Sequence, residues 1–135
     1  MPTPSPSFPS NHRRIRLLIV DDMPQVLEDL HLLLDLSGEV EVVGEAINGL
    51  EAIRQIGTLD PDVVVMDLEM PEMDGCQATC QIKKMDTPPK VIIFTVHSGL
   101  EIEQRVQQSG ADLLIQKGDG FEMLMAAILS LNNDE

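Results

Sequence analysis

Asp67 is the side chain best placed to react. It closes the apolar run Val63-Val64-Val65-Met66, and the turn-rich stretch Leu68-Glu69-Met70-Pro71-Glu72-Met73-Asp74-Gly75 follows at once. Other mostly apolar stretches also end in polar groups: residues 15–20 in Asp21-Asp22, residues 91–94 in Thr95, and residues 111–115 in Gln116-Lys117. Three carboxylates brought together repel, and at least one would hold its proton unless a cation intervened. An all-oxygen set suits a hard divalent cation such as Mg²⁺, which keeps several waters and takes phosphate oxygens as extra ligands. An ionised carboxylate needs no general base, so Asp67 can serve as the nucleophile of aspartyl-phosphate chemistry. Thr95 and Lys117 would then stabilise the phosphoryl oxygens.

Each of these residues alone has a plainer use. An Asp after a strand is usually a helix cap or a turn former. Capping alone does not account for five polar residues placed at the ends of four apolar runs. The set makes sense if the runs are parallel strands whose carboxyl ends share one edge, where open α/β sheets bind ligands.

The chain supplies the elements for such a sheet. IRLLIV (15–20) reads as a buried strand. Pro24 opens a helix, because proline is tolerated in a first turn. Val26, Leu27, Leu30, Leu33 and Leu34 form one face of it, and Ser37-Gly38 stops it. EVEVVGEA (39–46) partly alternates, as an edge strand with one wetter face does. Asn48-Gly49 is a turn. Leu50, Ile53 and Ile56 mark a short amphipathic helix closed by Gly57, and Asp60-Pro61 leads to the strand before Asp67. A third helix runs from Gly75 to about Lys84. After the loop Thr87-Pro88-Pro89 comes the strand 91–94. A weaker helix spans 101–109 and Gly110 ends it. The strand 111–115 follows, and Gly118 to Gly120 turn the chain into a last helix carrying Phe121, Leu124, Met125, Ile128 and Leu129. Strands alternating with helices predict an α/β fold, a five-stranded parallel sheet doubly wound by five helices.

Composition agrees. The chain has 135 residues, the length of one domain. It is 43% hydrophobic but only 2% aromatic, so its core must be aliphatic. A net charge of −14 repels phosphate backbones and argues against direct nucleic-acid binding by this chain. No apolar run reaches membrane-spanning length, and the N-terminus lacks a basic-then-apolar signal pattern. A cytoplasmic protein is expected. Cys76 and Cys80 fall on one helix face, too far apart for an unstrained bridge, and read as small buried or half-buried residues. His12 reads as solvated and His31 as a partly exposed helix residue. With four prolines in its first nine residues, the stretch 1–12 is expected to be a disordered leader. Residues 13–132 would form the domain and 133–135 a tail.

These motifs together are similar to the receiver domains of two-component response regulators. The resemblance rests on Asp21-Asp22, Asp67 with Met70-Pro71 and Asp74-Gly75 behind it, Thr95 and Lys117, and covers roughly residues 15–131. It implies a flavodoxin-like fold with strand order 2-1-3-4-5. It implies a phosphoprotein in which Asp67 accepts phosphate from a sensor histidine kinase or a phosphotransfer protein. Mg²⁺ would be bound by Asp22, Asp67 and the backbone carbonyl of Glu69, with Asp21 helping, and Thr95 and Lys117 would touch the phosphoryl group. Asp74-Gly75 would shape the loop into the third helix. Such a domain is no enzyme in the usual sense, since it catalyses only its own phosphorylation and dephosphorylation. Phosphorylation would move the face of the fourth helix, fifth strand and fifth helix, control a downstream output protein or domain, and in some cases drive homodimerisation. Phe94-Thr95-Val96-His97 and Gly110-Ala111-Asp112 resemble receivers of helix-turn-helix transcription regulators. One expectation is therefore a stand-alone receiver, which the leader and the polar end favour. The other is the receiver fragment of a longer DNA-binding regulator.

Two positions depart from the family pattern. Leu114 stands where many receivers carry an aromatic ring that swings on activation. Gly118 stands where a proline often follows the lysine, which removes the usual reason for a cis bond. In related receivers the residues flanking the site, here Val96 and His97, affect phosphate lifetime, and bulky Val96 is expected to slow water access. Two other classes fit less well. An aspartyl-nucleophile hydrolase usually places a second Asp two residues on, where Glu69 stands. A module that kept the fold but not the phosphorylation would have lost part of the acidic pair, Asp67 or Lys117, and all are present.

Overall fold

A computed structural model of the chain describes residues 13–132. The expected leader, with His12, and the tail lie outside the described residues. Five strands, β1 (Ile15–Val20), β2 (Val40–Ala46), β3 (Val63–Met66), β4 (Lys90–Thr95) and β5 (Leu113–Gln116), alternate with five helices. These are α1 (Pro24–Ser37), α2 (Gly49–Leu59), α3 (Gly75–Ile82), α4 (Leu100–Ser109) and α5 (Phe121–Asn132). All strand pairs are parallel, and the order across the sheet is β2-β1-β3-β4-β5. This is the flavodoxin-like arrangement that the resemblance implied.

The central strands are apolar because both of their faces are covered. Side chains alternate across a strand, so each strand feeds two cores. Leu17 and Ile19, Val63 and Val65, and Ile92 and Phe94 join Leu27, Leu30 and Leu34 of α1 and Leu124 and Ile128 of α5. Leu18 and Val20, Val64 and Met66, and Val91 and Ile93 join Ala52 and Ile56 of α2, Ala78 and Ile82 of α3, and Val106 of α4. Burying each such Leu or Ile stabilises the fold by roughly 1.5–3 kcal/mol. The edge strand β2 is mostly half-exposed, and its register against β1 slips between Leu17 and Leu18, which leaves Val43 as an extra residue.

The element ends follow local chemistry. Pro24 sits in the first turn of α1, and Gly38 closes that helix at φ 75°, where a residue without Cβ is unstrained. Asn48 proved to be a cap: its side chain accepts from the Glu51 N–H at 2.8 Å. Gly57 does not end α2. The helix runs on to Leu59, and Asp60 takes the left-handed position at φ 52°. Arg16 accounts for this end, because its guanidinium donates to the carbonyls of Leu59 at 2.7 Å and Asp60 at 2.8 Å. Asp62 then accepts from the Arg13 guanidinium and from the Arg16 N–H, so Arg13 and the start of β1 fasten the chain entering β3. The third helix stops at Ile82, short of Lys84. The fifth strand begins at Leu113 and keeps Gln116. Asp112 is withheld from that strand because its carboxylate accepts from the Val91 N–H at 2.8 Å and from Lys83 Nζ at 2.7 Å. That contact ties α3, β4 and the approach to β5 together.

His31 is half-exposed, as expected, and stands between Glu45 at 2.7 Å and Asp35 at 3.3 Å. Cys76 is half-buried and free. Cys80 is exposed, contrary to the expectation of burial, because the α3 face it occupies turns outward beyond Ala78 and Ile82. No described helix is long and apolar enough to cross a membrane.

Candidate functional site

The parallel register brings the carboxyl ends of β1, β3, β4 and β5 to one edge. Asp21 follows β1, and its N–H donates to the Ala46 carbonyl at the end of β2 at 3.0 Å. The Asp67 N–H donates to the Val20 carbonyl at 3.0 Å. The sheet ladder thus fixes both carboxylates relative to each other. Asp21, Asp22 and Asp67 each offer an oxygen, and the three oxygens lie within 4.8 Å of one another. Asp21 is 2% exposed, Asp67 is half-buried and Asp22 is exposed, so the cluster opens to solvent on one side.

Lys117 closes the cluster from the other edge of the sheet. It follows β5 directly, and its ammonium donates to Asp21 Oδ2 at 2.8 Å and to Asp67 Oδ2 at 3.4 Å. On the way it passes over the Phe94 ring, 5.9 Å from its centre. Burial works against the Lys117 charge, but the hydrogen bond to Asp21 and the fields of Asp67 and Asp21 outweigh it and hold the ammonium above its ordinary range. Asp67 is also displaced upward, which for an acid disfavours the charged form. Burial holds its carboxyl above the usual carboxylate range, Asp21 adds to this, and Lys117 and the Leu68 N–H only partly offset it. Carboxylate oxygens at this spacing, short of positive charge, match the donor set of a hard divalent cation.

The structure brings together Asp21, Asp22, Asp67 and Lys117. Thr95 stands on the same edge at the end of β4, but it is fully buried and has no hydrogen bond to the carboxylates; its hydroxyl accepts from the His97 N–H at 3.1 Å. The Glu69 carboxylate points along the rim, 4.0 Å from His97 Nε2. Leu114 is half-buried and lines a groove of about 420 Å³ between α4 and β5, with Val106 and Ala111. No peptide bond is cis among the described residues, Lys117-Gly118 included.

The loop from Asp67 to α3 is held more tightly than turn chemistry alone foretold. Asp74 and Gln77 form a reciprocal cap at the start of α3, a spacing visible in the sequence as D-x-x-Q. The Gly75 N–H donates to the Leu68 carbonyl at 2.8 Å. A Cβ on Gly75 would run into the Asp67 carbonyl and the Leu68 Cα, so glycine there is a matter of space. Met73 donates to the Pro71 carbonyl at 2.7 Å and turns the chain tightly about Glu72, at φ 71°. Arg105 of α4 lies 3.4 Å from Asp74, a link no local pattern announces.

A family model described as the response regulator receiver domain matches residues 17–129. The chain belongs to that family, the receivers of two-component signalling. Response regulator UvrY of Escherichia coli is 34% identical over 117 residues, covering 87% of this chain and 54% of that protein. The nitrate/nitrite response regulator protein NarL of Escherichia coli is 29% identical, covering 88% and 55%. The chain thus spans about half the length of these relatives. Among solved structures, a DNA-binding response regulator of the LuxR family from Staphylococcus aureus superposes with a TM-score of 0.83 at 29% identity, covering 87% of this chain and 98% of that one. The response regulator domain of Thermotoga maritima CheB gives 0.82 at 32%, covering 90% and 98%.

Proposed function

We propose that Asp67 is the phosphoacceptor of this receiver and that Mg²⁺ is held by Asp21, Asp22, Asp67 and the backbone carbonyl of Glu69. The observation that carries the reading is three carboxylates gathered within 4.8 Å under one ammonium. The donor is a phosphohistidine of a sensor histidine kinase or a phosphotransfer protein. An Asp67 oxygen bonds to phosphorus as the P–N bond breaks, and the electron pair returns to the histidine nitrogen. When bound, the cation neutralises the carboxylates and the charge on the phosphoryl oxygens. Lys117 contributes a second positive charge, and the Thr95 hydroxyl donates to a phosphoryl oxygen once it turns from His97. Hydrolysis of the acyl phosphate later resets the protein. The chain catalyses these two steps on itself and no others.

Phosphate on Asp67 adds charge and acceptor oxygens and shifts a population between two packings of the face built by α4, β5 and α5. Moving from 1% to 99% active takes about 5.5 kcal/mol of differential stabilisation. A downstream output protein or domain reads that face, and phosphorylation-linked homodimerisation is one form the reading takes. We assign the receiver to residues 13–132, flanked by 1–12 and 133–135, and place its work in the cytoplasm. A second reading makes the segment the receiver of a longer DNA-binding transcriptional regulator. The share of its relatives that the chain spans favours it.

Incubation with acetyl phosphate and Mg²⁺, followed by intact mass, tests the acceptor. One added phosphate on wild type and none on Asp67→Asn is expected. Label on the variant, or none on either protein, overturns the assignment.

A further inference from the structure

Lys117 has an unusual path to its partners. It leaves the edge strand β5, and Asp67 and Asp21 follow β3 and β1, so its side chain must cross the end of β4. The β4 residue it crosses is Phe94, paired across the ladder with Ile115. Phe94 is 7% exposed and is locked in the core between the sheet and α5. Its ring lies 5.9 Å beneath the ammonium. Only two phenyl rings are present among the described residues, Phe94 and Phe121. Of the two, only Phe94 is buried, and it lies where the partly buried Lys117 cation passes.

We infer that Phe94 is a positioning residue for Lys117: its ring face holds the ammonium over the end of β4, so that the charge meets Asp67 instead of swinging out to solvent. An aromatic quadrupole attracts an ammonium within about 6 Å, more strongly as water is excluded. An aliphatic residue of similar size would fill the core but would leave Lys117 restrained by Asp21 and Asp67 alone. A bound cation would compete for those carboxylates and phosphorylation would take up an Asp67 oxygen, whereas the ring is engaged by neither. The ring thus keeps Lys117 in place at the stage when its carboxylate partners are taken.

The consequence for phosphorylation rests on the assignment of Asp67 as acceptor, and the test separates the two. Mono-, tri- and pentafluorinated phenylalanine at position 94 drain the ring's negative face with little change of shape. Acetyl phosphate labelling should slow in that order, by roughly three- to tenfold across the series, while melting temperatures do not follow it. A flat labelling rate across the series overturns the inference. A second measurement needs no phosphate. The Lys117 ε-methylene protons should resonate upfield in wild type, shifted by the ring current, and return to ordinary values in Phe94→Leu. Unshifted protons in wild type overturn the inference too. If wild type takes no phosphate at all, the acceptor assignment falls while the proton shifts still decide the Phe94 contact.

Discussion

Lys117 Nζ stands 2.8 Å from Asp21 Oδ2, a hydrogen bond that joins residues 96 positions apart in the chain. Asp67 receives the longer contact, at 3.4 Å. Asp67 is therefore the less well compensated of the two carboxylates, which agrees with the upward displacement of its carboxyl.

That displacement has a sign for stability. A carboxyl held above its unfolded value takes up a proton on folding. Its contribution is full at acid pH and is lost as pH rises through the displaced value. Without metal, Asp67→Asn should therefore melt higher than wild type at pH 7, and the gain should shrink in acid below the usual carboxylate range. Thermal melts in EDTA across pH check this; equal melting points at pH 7 would contradict it.

Mg²⁺ should stabilise the domain by mass action. At ten times its dissociation constant the gain is about 1.4 kcal/mol, a few degrees in Tm for a domain of this size. In Asp22→Asn, an exposed position with little effect on the fold itself, that gain should fall away. Parallel melts with and without Mg²⁺ measure it.

Two glycines should respond oppositely to alanine. Gly75→Ala must push the Asp67 carbonyl aside and should cost about 1–3 kcal/mol. Gly57→Ala lies inside α2 with nothing near its Cβ and should stabilise by about 0.5–1 kcal/mol. Urea titrations of both variants decide the matter.

Glu72→Gly relieves a left-handed backbone at φ 71° and should stabilise by roughly 0.5–1 kcal/mol. The same titration applies, and a destabilised variant would mean that the Glu72 side chain matters more than its backbone.

Val96 is 69% exposed beside Thr95. Val96→Ala should shorten the lifetime of the phosphate by easing the approach of water. The loss of label after removal of acetyl phosphate measures this, and an unchanged or slower rate would refute it.

The sheet was legible because period and burial agree: four-residue apolar runs such as Val63–Met66 leave little choice, and parallel order followed from helices between them. Residues at strand ends were legible for the same reason. Element ends set by distant partners were not. Gly57 looked like a stop, yet α2 continues because Arg16, more than forty positions earlier, satisfies the carbonyls of Leu59 and Asp60. Asp112 looked like part of β5 until Lys83 and Val91 claimed it. Thr95 stands on the shared edge as read, but the partner of its hydroxyl, the His97 N–H, was not legible. In each case the deciding contact is long-range or depends on a rotamer, and neither leaves a local pattern.

The strap from Lys117 to Asp21 also bears on how the chain comes to fold. It crosses the ends of β3 and β4, so it can close only after both have taken their places beside β1. Loop closure over such a separation is among the costlier steps in entropy. A partly folded chain therefore has acidic residues but no site. On the proposed assignment, competence to take phosphate would arrive together with the finished sheet, and a labelling assay would double as a count of correctly folded molecules.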